Sequence, residues 1–289
     1  MEAKILKKES SIYRVNLFFL CTIIWSIVVQ FLPIPDNSYQ YIAFLIPISI
    51  YLFLNRNEID RILKPDMLNL SSIIIVFIIW LATLPLIFLI VELYMYFFGN
   101  TLVDLVSQDA HESFILNIFF TAVTPAILEE ILMRGIILDG YRNKSRIVAA
   151  LMNGFMFGML HLNSFQFFHT FIAGFVASLV VFATNSIFAG IFIHMINNGL
   201  PIILNYLYPV NPDMVYENST NFLLLTSYAL LGIIFVFKLI NLLFKLNHIP
   251  FKENKELSKE RIFNLPLFIS IIIFIGFSAI IILSIYELI

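Results

Sequence analysis

Charge is scarce in this chain: Asp, Glu, Lys and Arg together make up 12% of its 289 residues. That is about half the share usual in water-soluble domains, so the polar surface of an ordinary globular fold cannot be assembled. Thiols are scarcer still. Cys21 is the single cysteine and falls inside the first apolar run, which excludes a disulfide framework and a thiolate metal site. A basic face is missing too: the formal net charge is -2, the isoelectric point is near 6.2, and Lys and Arg are confined to short connecting segments. Nothing there would grip a phosphate backbone, and no nucleic-acid partner is expected. Internal repeats and low-complexity tracts are absent, and the one sizeable polar stretch runs from Asn247 to Asn264, so no separate soluble domain is expected.

What is present is apolar: 60% of the residues are hydrophobic and 31 are Phe. Apolar runs recur at Val15 to Leu32, Tyr41 to Leu54, Ile73 to Phe98, Phe114 to Leu138, Ile147 to Leu162, Phe165 to Ala183, Ile187 to Tyr208, Phe222 to Leu246 and Leu265 to Leu288. Most match the hydrocarbon core, roughly 30 Å thick, that about 20 helical residues cross; the second and fifth are short. This predicts an all-α, polytopic transmembrane helix bundle of about nine spans, eight being the alternative, in a single integral membrane domain over 1–289. The first run follows Lys4, Lys7, Lys8 and Arg14 as a signal peptide would, yet its length and the lack of a small-x-small cleavage site predict a retained anchor. Orientation follows from the basic loops, which stay on the cytoplasmic side during insertion. Lys and Arg occupy the N-terminal tail, the loop with Arg56, Arg61 and Lys64, the loop with Arg142, Lys144 and Arg146, and the loop from Lys252 to Arg261. The alternate connections, Pro33 to Gln40, Gly99 to Ser113, Asn163 to Ser164 and Pro209 to Asn221, contain none. The N-terminus is therefore expected in the cytoplasm and the C-terminus outside.

Ionisable residues inside the bilayer are costly, at least about 2.5 to 3.5 kcal/mol each at the centre, and so mark candidate functional sites. Here they cluster. The fourth span carries Glu129, Glu130 and Arg134, the fifth ends at His161, and the seventh contains His194, Asn197 and Asn198. Glu130 and Arg134 stand four apart and share a helix face, as do His194 and Asn198. An intrahelical ion pair would neutralise the first two and leave Glu129 on another face without a local partner. Counting helical rise from the cytoplasmic boundary puts Glu129, His161 and His194 at depths of roughly 20, 22 and 13 Å. One wet cavity could then hold a carboxylate, two imidazoles and an amide, a set suited to hydrolysis. Glu129 could serve as general base on a water that His161 also holds, with His194 and Asn198 donating to a developing oxyanion.

These residues form three ordered motifs: Glu129-Glu130-x-x-x-Arg134, Phe157-x-x-x-His161 and His194-x-x-x-Asn198. In this the chain resembles the CPBP family, the CAAX-protease and bacteriocin-processing group of intramembrane endopeptidases. The resemblance covers about Phe114 to Tyr208, the expected catalytic core 114–208. It implies Glu129 as catalytic base, His161 as its partner at the water, and His194 with Asn198 as the oxyanion pair; Glu130 and Arg134 carry over as motif residues. The family has been described both as metal-dependent and as glutamate-dependent without a metal, so a divalent ion such as zinc and no cofactor at all stay open. If a metal is present, Glu129, His161 and His194 are the ligands to expect. The HExxH of site-2 proteases, the GxSG of rhomboids and the GxGD of presenilin-type proteases are all missing.

Plainer readings stand beside these. Glu130 with Arg134 could be a structural ion pair, His194 with Asn198 interhelical glue, Phe157 a core ring shaping the pocket, and Asn197 locally bonded. His169 and His111 are expected as interfacial histidines near the outer face, with no role. The function expected is hydrolysis of a peptide bond in a membrane-associated peptide or protein. A non-catalytic immunity or scaffold protein of the same fold is one alternative, and a transporter is another. Acidic, Lys-poor outer loops and high hydrophobicity fit a bacterial plasma membrane, which favours a membrane peptide over a prenylated CAAX protein as substrate.

Overall fold

The computed structural model describes residues 11–106, 113–209, 221–252 and 257–285. The basic tail with Lys4, Lys7 and Lys8, His111, the loop 210–220 and the end of the last predicted span lie outside them. The described residues are helical, with no strand among them beyond an isolated bridge between Pro65 and Ser186. Helix α1 is Ser11–Gln30, α2 is Tyr41–Leu54, α3 is Arg56–Leu63, α4 is Leu70–Phe98 and α5 is Phe114–Gly140. Helix α6 is Arg146–Leu160, α7 is Ser164–Thr184, α8 is Ile187–Leu207, α9 is Phe222–Leu246 and α10 is Leu265–Ile285. Seven are long and apolar enough to cross a bilayer, and the pair α2 and α3, bent by 87°, makes an eighth. Helix α6, with 15 residues, is the short fifth run. The chain is a polytopic membrane bundle, and the count of about nine runs matches its element order.

Polar residues at the connections set the helix ends. The side chains of Asn69, Asn163 and Asn221 accept from the backbone N–H three residues on, at 2.8, 2.8 and 3.0 Å, and so cap α4, α7 and α9. Asn185 ends α7 in the left-handed region at φ 50°, where Asn is tolerated better than most residues.

Helix α5 is not regular. Two π turns, Ile118–Val123 and Ile131–Ile137, flank the seven-residue α-helical stretch Thr124–Glu130. Such turns hold an extra residue and release backbone carbonyls, which other helices then satisfy. Thr121 is the clearest case, since Pro125 four residues on has no N–H to offer its carbonyl; Asn198 Nδ2 donates to it instead at 3.1 Å. In the second π turn the Met133 carbonyl accepts from Asn153 Nδ2 at 2.6 Å, and Ser178 Oγ donates to Asn153 Oδ1 at 2.8 Å. Lys64 Nζ reaches the Arg134 carbonyl at 3.4 Å.

Helices α6 and α7 form the tightest pair. A Cβ on Gly154 would lie 2.6 Å from the Phe171 carbonyl oxygen, and one on Gly174 would lie 2.9 Å from the Gly154 Cα. Gly154 and Gly158 are four apart, the small-residue spacing that lets membrane helices approach closely. Helix α4 packs along α9 and α1 along α10. Near the basic loop that follows α5, buried Tyr141 donates to Asn16 Oδ1 at 2.7 Å and ties α5 to α1. Outward faces carry exposed apolar side chains such as Leu231, Ile234, Ile272 and Ile275, the surface a hydrocarbon solvent calls for.

Candidate active site

Each motif residue is delivered by a different local device. The stretch between the two π turns of α5 holds Glu129 and Glu130, and Arg134 follows inside the second π turn. Arg134 Nη1 donates to Glu130 Oε1 at 2.8 Å, with both side chains 1% exposed. This is the ion pair that the four-residue spacing predicts. Glu130 Oε2 and Arg134 Nε have no hydrogen-bond partner, and Oε2 sits where a Cβ on Gly190 would have to go.

His161 is the C-cap of α6, with Nδ1 3.0 Å from the Phe157 carbonyl oxygen. A carbonyl only accepts, so Nδ1 bears the hydrogen and the neutral ring keeps a lone pair on Nε2. Phe157 explains its own place in the motif. Its ring meets His161 edge-on at 5.1 Å and His194 at 5.9 Å, and the Arg134 guanidinium lies 4.4 Å from its centre. One aromatic side chain thus steadies two imidazoles and covers a buried cation.

On α8, Gly190, His194 and Asn198 follow at four-residue intervals along one face. His194 Nδ1 is 3.0 Å from Glu130 Oε1, while Nε2 is 4.0 Å from Glu129 Oε2. The second distance is at the outer limit for an ion pair and too long for a direct hydrogen bond. Glu129 is therefore not without a partner, as its helix face alone suggests; the partner comes from α8. Asn198 is fixed by the freed Thr121 carbonyl, and Asn197 donates to Asn198 Oδ1 at 3.2 Å while accepting from Trp80 Nε1 at 3.4 Å.

Glu129, Glu130, Arg134, His161, His194 and Asn198 all line one cavity of about 370 Å³. At about 30 Å³ per water molecule, that is room for a short stretch of peptide and several waters. His169, read from the sequence as an interfacial histidine near the outer face, lines the same cavity. It repeats the aromatic-x-x-x-histidine arrangement: Nδ1 lies 3.1 Å from the Phe165 carbonyl and the ring 5.1 Å from that of Phe165. Glu129, His161 and His194 share the cavity, but no three His, Cys, Asp or Glu side chains among the described residues converge as a metal-ligand group. The donor set as placed does not fit a zinc ion.

Residues 111–200 match the family model described as Rce1-like, type II CAAX prenyl endopeptidase. This segment is similar to the CAAX-protease family. The matched stretch takes in all three motifs and the whole of the cavity's contribution from α6 and α7. The family is one of membrane proteases, which supports a peptidase acting on a membrane-associated protein. No curated protein and no solved structure matches the chain.

Two cavity residues escape a motif reading and leave a faint trace in the sequence. Gly190 stands one helical turn before His194, continuing the interval that Asn198 sets. Phe165-x-x-x-His169 copies the spacing of Phe157-x-x-x-His161 eight residues earlier. Thr121 and Trp80 carry no such trace, because the first acts through its backbone and the second comes from α4.

Proposed function

We propose that this protein is an intramembrane endopeptidase of the CAAX-protease type, in which Glu129 activates a water for direct attack on a peptide carbonyl. The observation that carries the reading is the convergence of three helices on one cavity, with both carboxylates meeting the His194 ring. Glu129 takes a proton from the water as its oxygen bonds to the carbonyl carbon. His161, holding its own hydrogen on the Phe157 carbonyl, presents the Nε2 lone pair to the same water. Negative charge gathers on the carbonyl oxygen, where His194 Nε2–H and the second Nδ2–H of Asn198 donate. For His194 to donate from both nitrogens the ring must be doubly protonated, and Glu130 supplies the acceptor at Nδ1. The carbon–nitrogen bond then breaks and Glu129 returns its proton to the leaving amine, giving one carboxylic acid and one amine, between which the remaining proton of the water passes on release to give carboxylate and ammonium.

No step passes through a metal. The catalytic core is the segment 114–208, and the remaining helices place it in the bilayer. The substrate is a membrane-associated peptide in a bacterial plasma membrane. Purified protein in proteoliposomes, offered a panel of lipid-anchored and membrane-inserted peptides, is expected to give new fragments by mass spectrometry, and a chelator is expected to leave their yield unchanged. Glu129→Gln should yield none while eluting as the wild type on size exclusion. Full cleavage by that variant would refute the assignment of Glu129.

A further inference from the structure

We infer that the cavity is loaded from the outer, non-cytoplasmic side of the bilayer, so that its substrate presents the scissile bond in the outer leaflet. That a substrate is cleaved there rests on the endopeptidase reading; the direction of entry rests on packing and charge alone.

Burial runs one way along the motif helices. Arg134 and Glu130, at the floor, are each 1% exposed, and Gly190 beside them is buried. From the floor toward the basic loop, every residue from Leu132 to Tyr141 is buried. That end is also tied shut across three elements. Lys64, just after α3, donates to the Arg134 carbonyl, and its own carbonyl accepts from Ile187 N at 3.0 Å. Pro65 bridges Ser186 at the start of α8, and Arg61 pairs with Asp139.

The opposite end is open and polar. Thr121 lies 13 residues before Arg134, about 20 Å along the helix, and is exposed, as is Asn197 on α8. Gln166, from the first turn of α7, and Gln40, which leads into α2, complete this polar rim. Gln40 Oε1 is buried without a hydrogen-bond partner among the described residues. An unmet acceptor of that kind is costly, and a peptide N–H passing the rim would satisfy it.

Loop charge decides which end is which. Arg142, Lys144 and Arg146 sit at the sealed end, whereas the connections bearing Gln40 and Gln166 contain no Lys or Arg. Basic loops are retained in the cytoplasm, so the rim faces the outer leaflet. The substrate class is then a membrane-anchored segment whose cleavage site has reached that leaflet, and the more polar fragment departs on the outer face.

The test uses cysteine labelling and needs no peptidase activity. In a Cys21→Ala background, Gln166→Cys and Asn197→Cys report the rim, and Asn143→Cys reports the basic loop. Right-side-out membrane vesicles are treated with a membrane-impermeant maleimide before and after permeabilisation. Gln166→Cys and Asn197→Cys are expected to react at once, and Asn143→Cys only after permeabilisation. Rim cysteines that react only after permeabilisation, or in neither condition, would overturn the inference, as would immediate labelling of Asn143→Cys. Because labelling is independent of turnover, a Glu129→Gln variant that still cleaved would count against the protease chemistry and leave the direction of entry standing.

Discussion

A glutamate and an arginine, each 1% exposed within a membrane helix, could serve packing alone; the contact with His194 argues for more. Glu130 Oε1 takes both the Arg134 guanidinium and His194 Nδ1. The arginine is the carboxylate's counter-ion in an apolar setting, and the carboxylate fixes which nitrogen of the imidazole faces Glu129. Glu130→Gln keeps the size and removes the charge, so cleavage is expected to fall roughly 10²-fold or more, the usual scale for losing one preorganised polar partner. Glu130→Asp should recover part of it. Equal rates for the Gln variant and wild type in a fragment-release assay would reduce Glu130 to a structural role. The pairing of Glu130 with Arg134 is legible from residue numbers alone, because four residues make one turn. The approach of His194 to Glu129, across 65 positions of chain, is not: spacing gives faces, and only packing decides which faces meet. The same limit hid His169, whose neighbours are known only once α7 lies against α6.

Helix α5 shows what hydropathy leaves out at the next scale. The apolar run of the fourth span is plain in the sequence, yet its two π turns are not, since they change no hydrophobic period over so few residues. Pro125 is the one written hint, removing an N–H that the Thr121 carbonyl would otherwise receive. Likewise the second apolar run looks like a short span, but it bends by 87° into α3, which carries basic residues at the closed end of the cavity. Asn153 is the buried prop of the second π turn through the Met133 carbonyl. Asn153→Ala leaves that carbonyl unmet and is expected to cost about 1–3 kcal/mol, read as lower thermal stability in detergent with a parallel loss of cleavage. Lys64 gives this element a pH signature. Burial, opposed by Asp139 and aided by Arg61 and Arg142, lowers its ammonium from the ordinary 10.5 to about 8. Between pH 8 and 10.5 the unfolded chain then holds a proton that the folded chain has lost, so stability should rise with pH across that window. Lys64→Met should flatten the rise in thermal melts; an unchanged slope would mean that Lys64 is not the group responsible.

For the molecule as a whole, low charge and repeated apolar runs were enough to announce a polytopic helix bundle. Six motif residues from α5, α6 and α8 were legible as a group because their types are so unsuited to a bilayer. Their common cavity, the covering ring of Phe157 and the closed floor depend on glycine-mediated close packing and on released carbonyls finding partners, which no linear pattern encodes. The account that joins these scales is a single hydrolytic step by a water held between Glu129 and His161. Cleavage of a membrane-inserted peptide in water enriched in heavy oxygen tests it most directly. It predicts one heavy oxygen in the newly formed carboxylate, no acyl-enzyme trapped by hydroxylamine, and no product from Glu129→Gln. A trapped acyl-enzyme, or heavy-oxygen product from that variant at the wild-type rate, would contradict it.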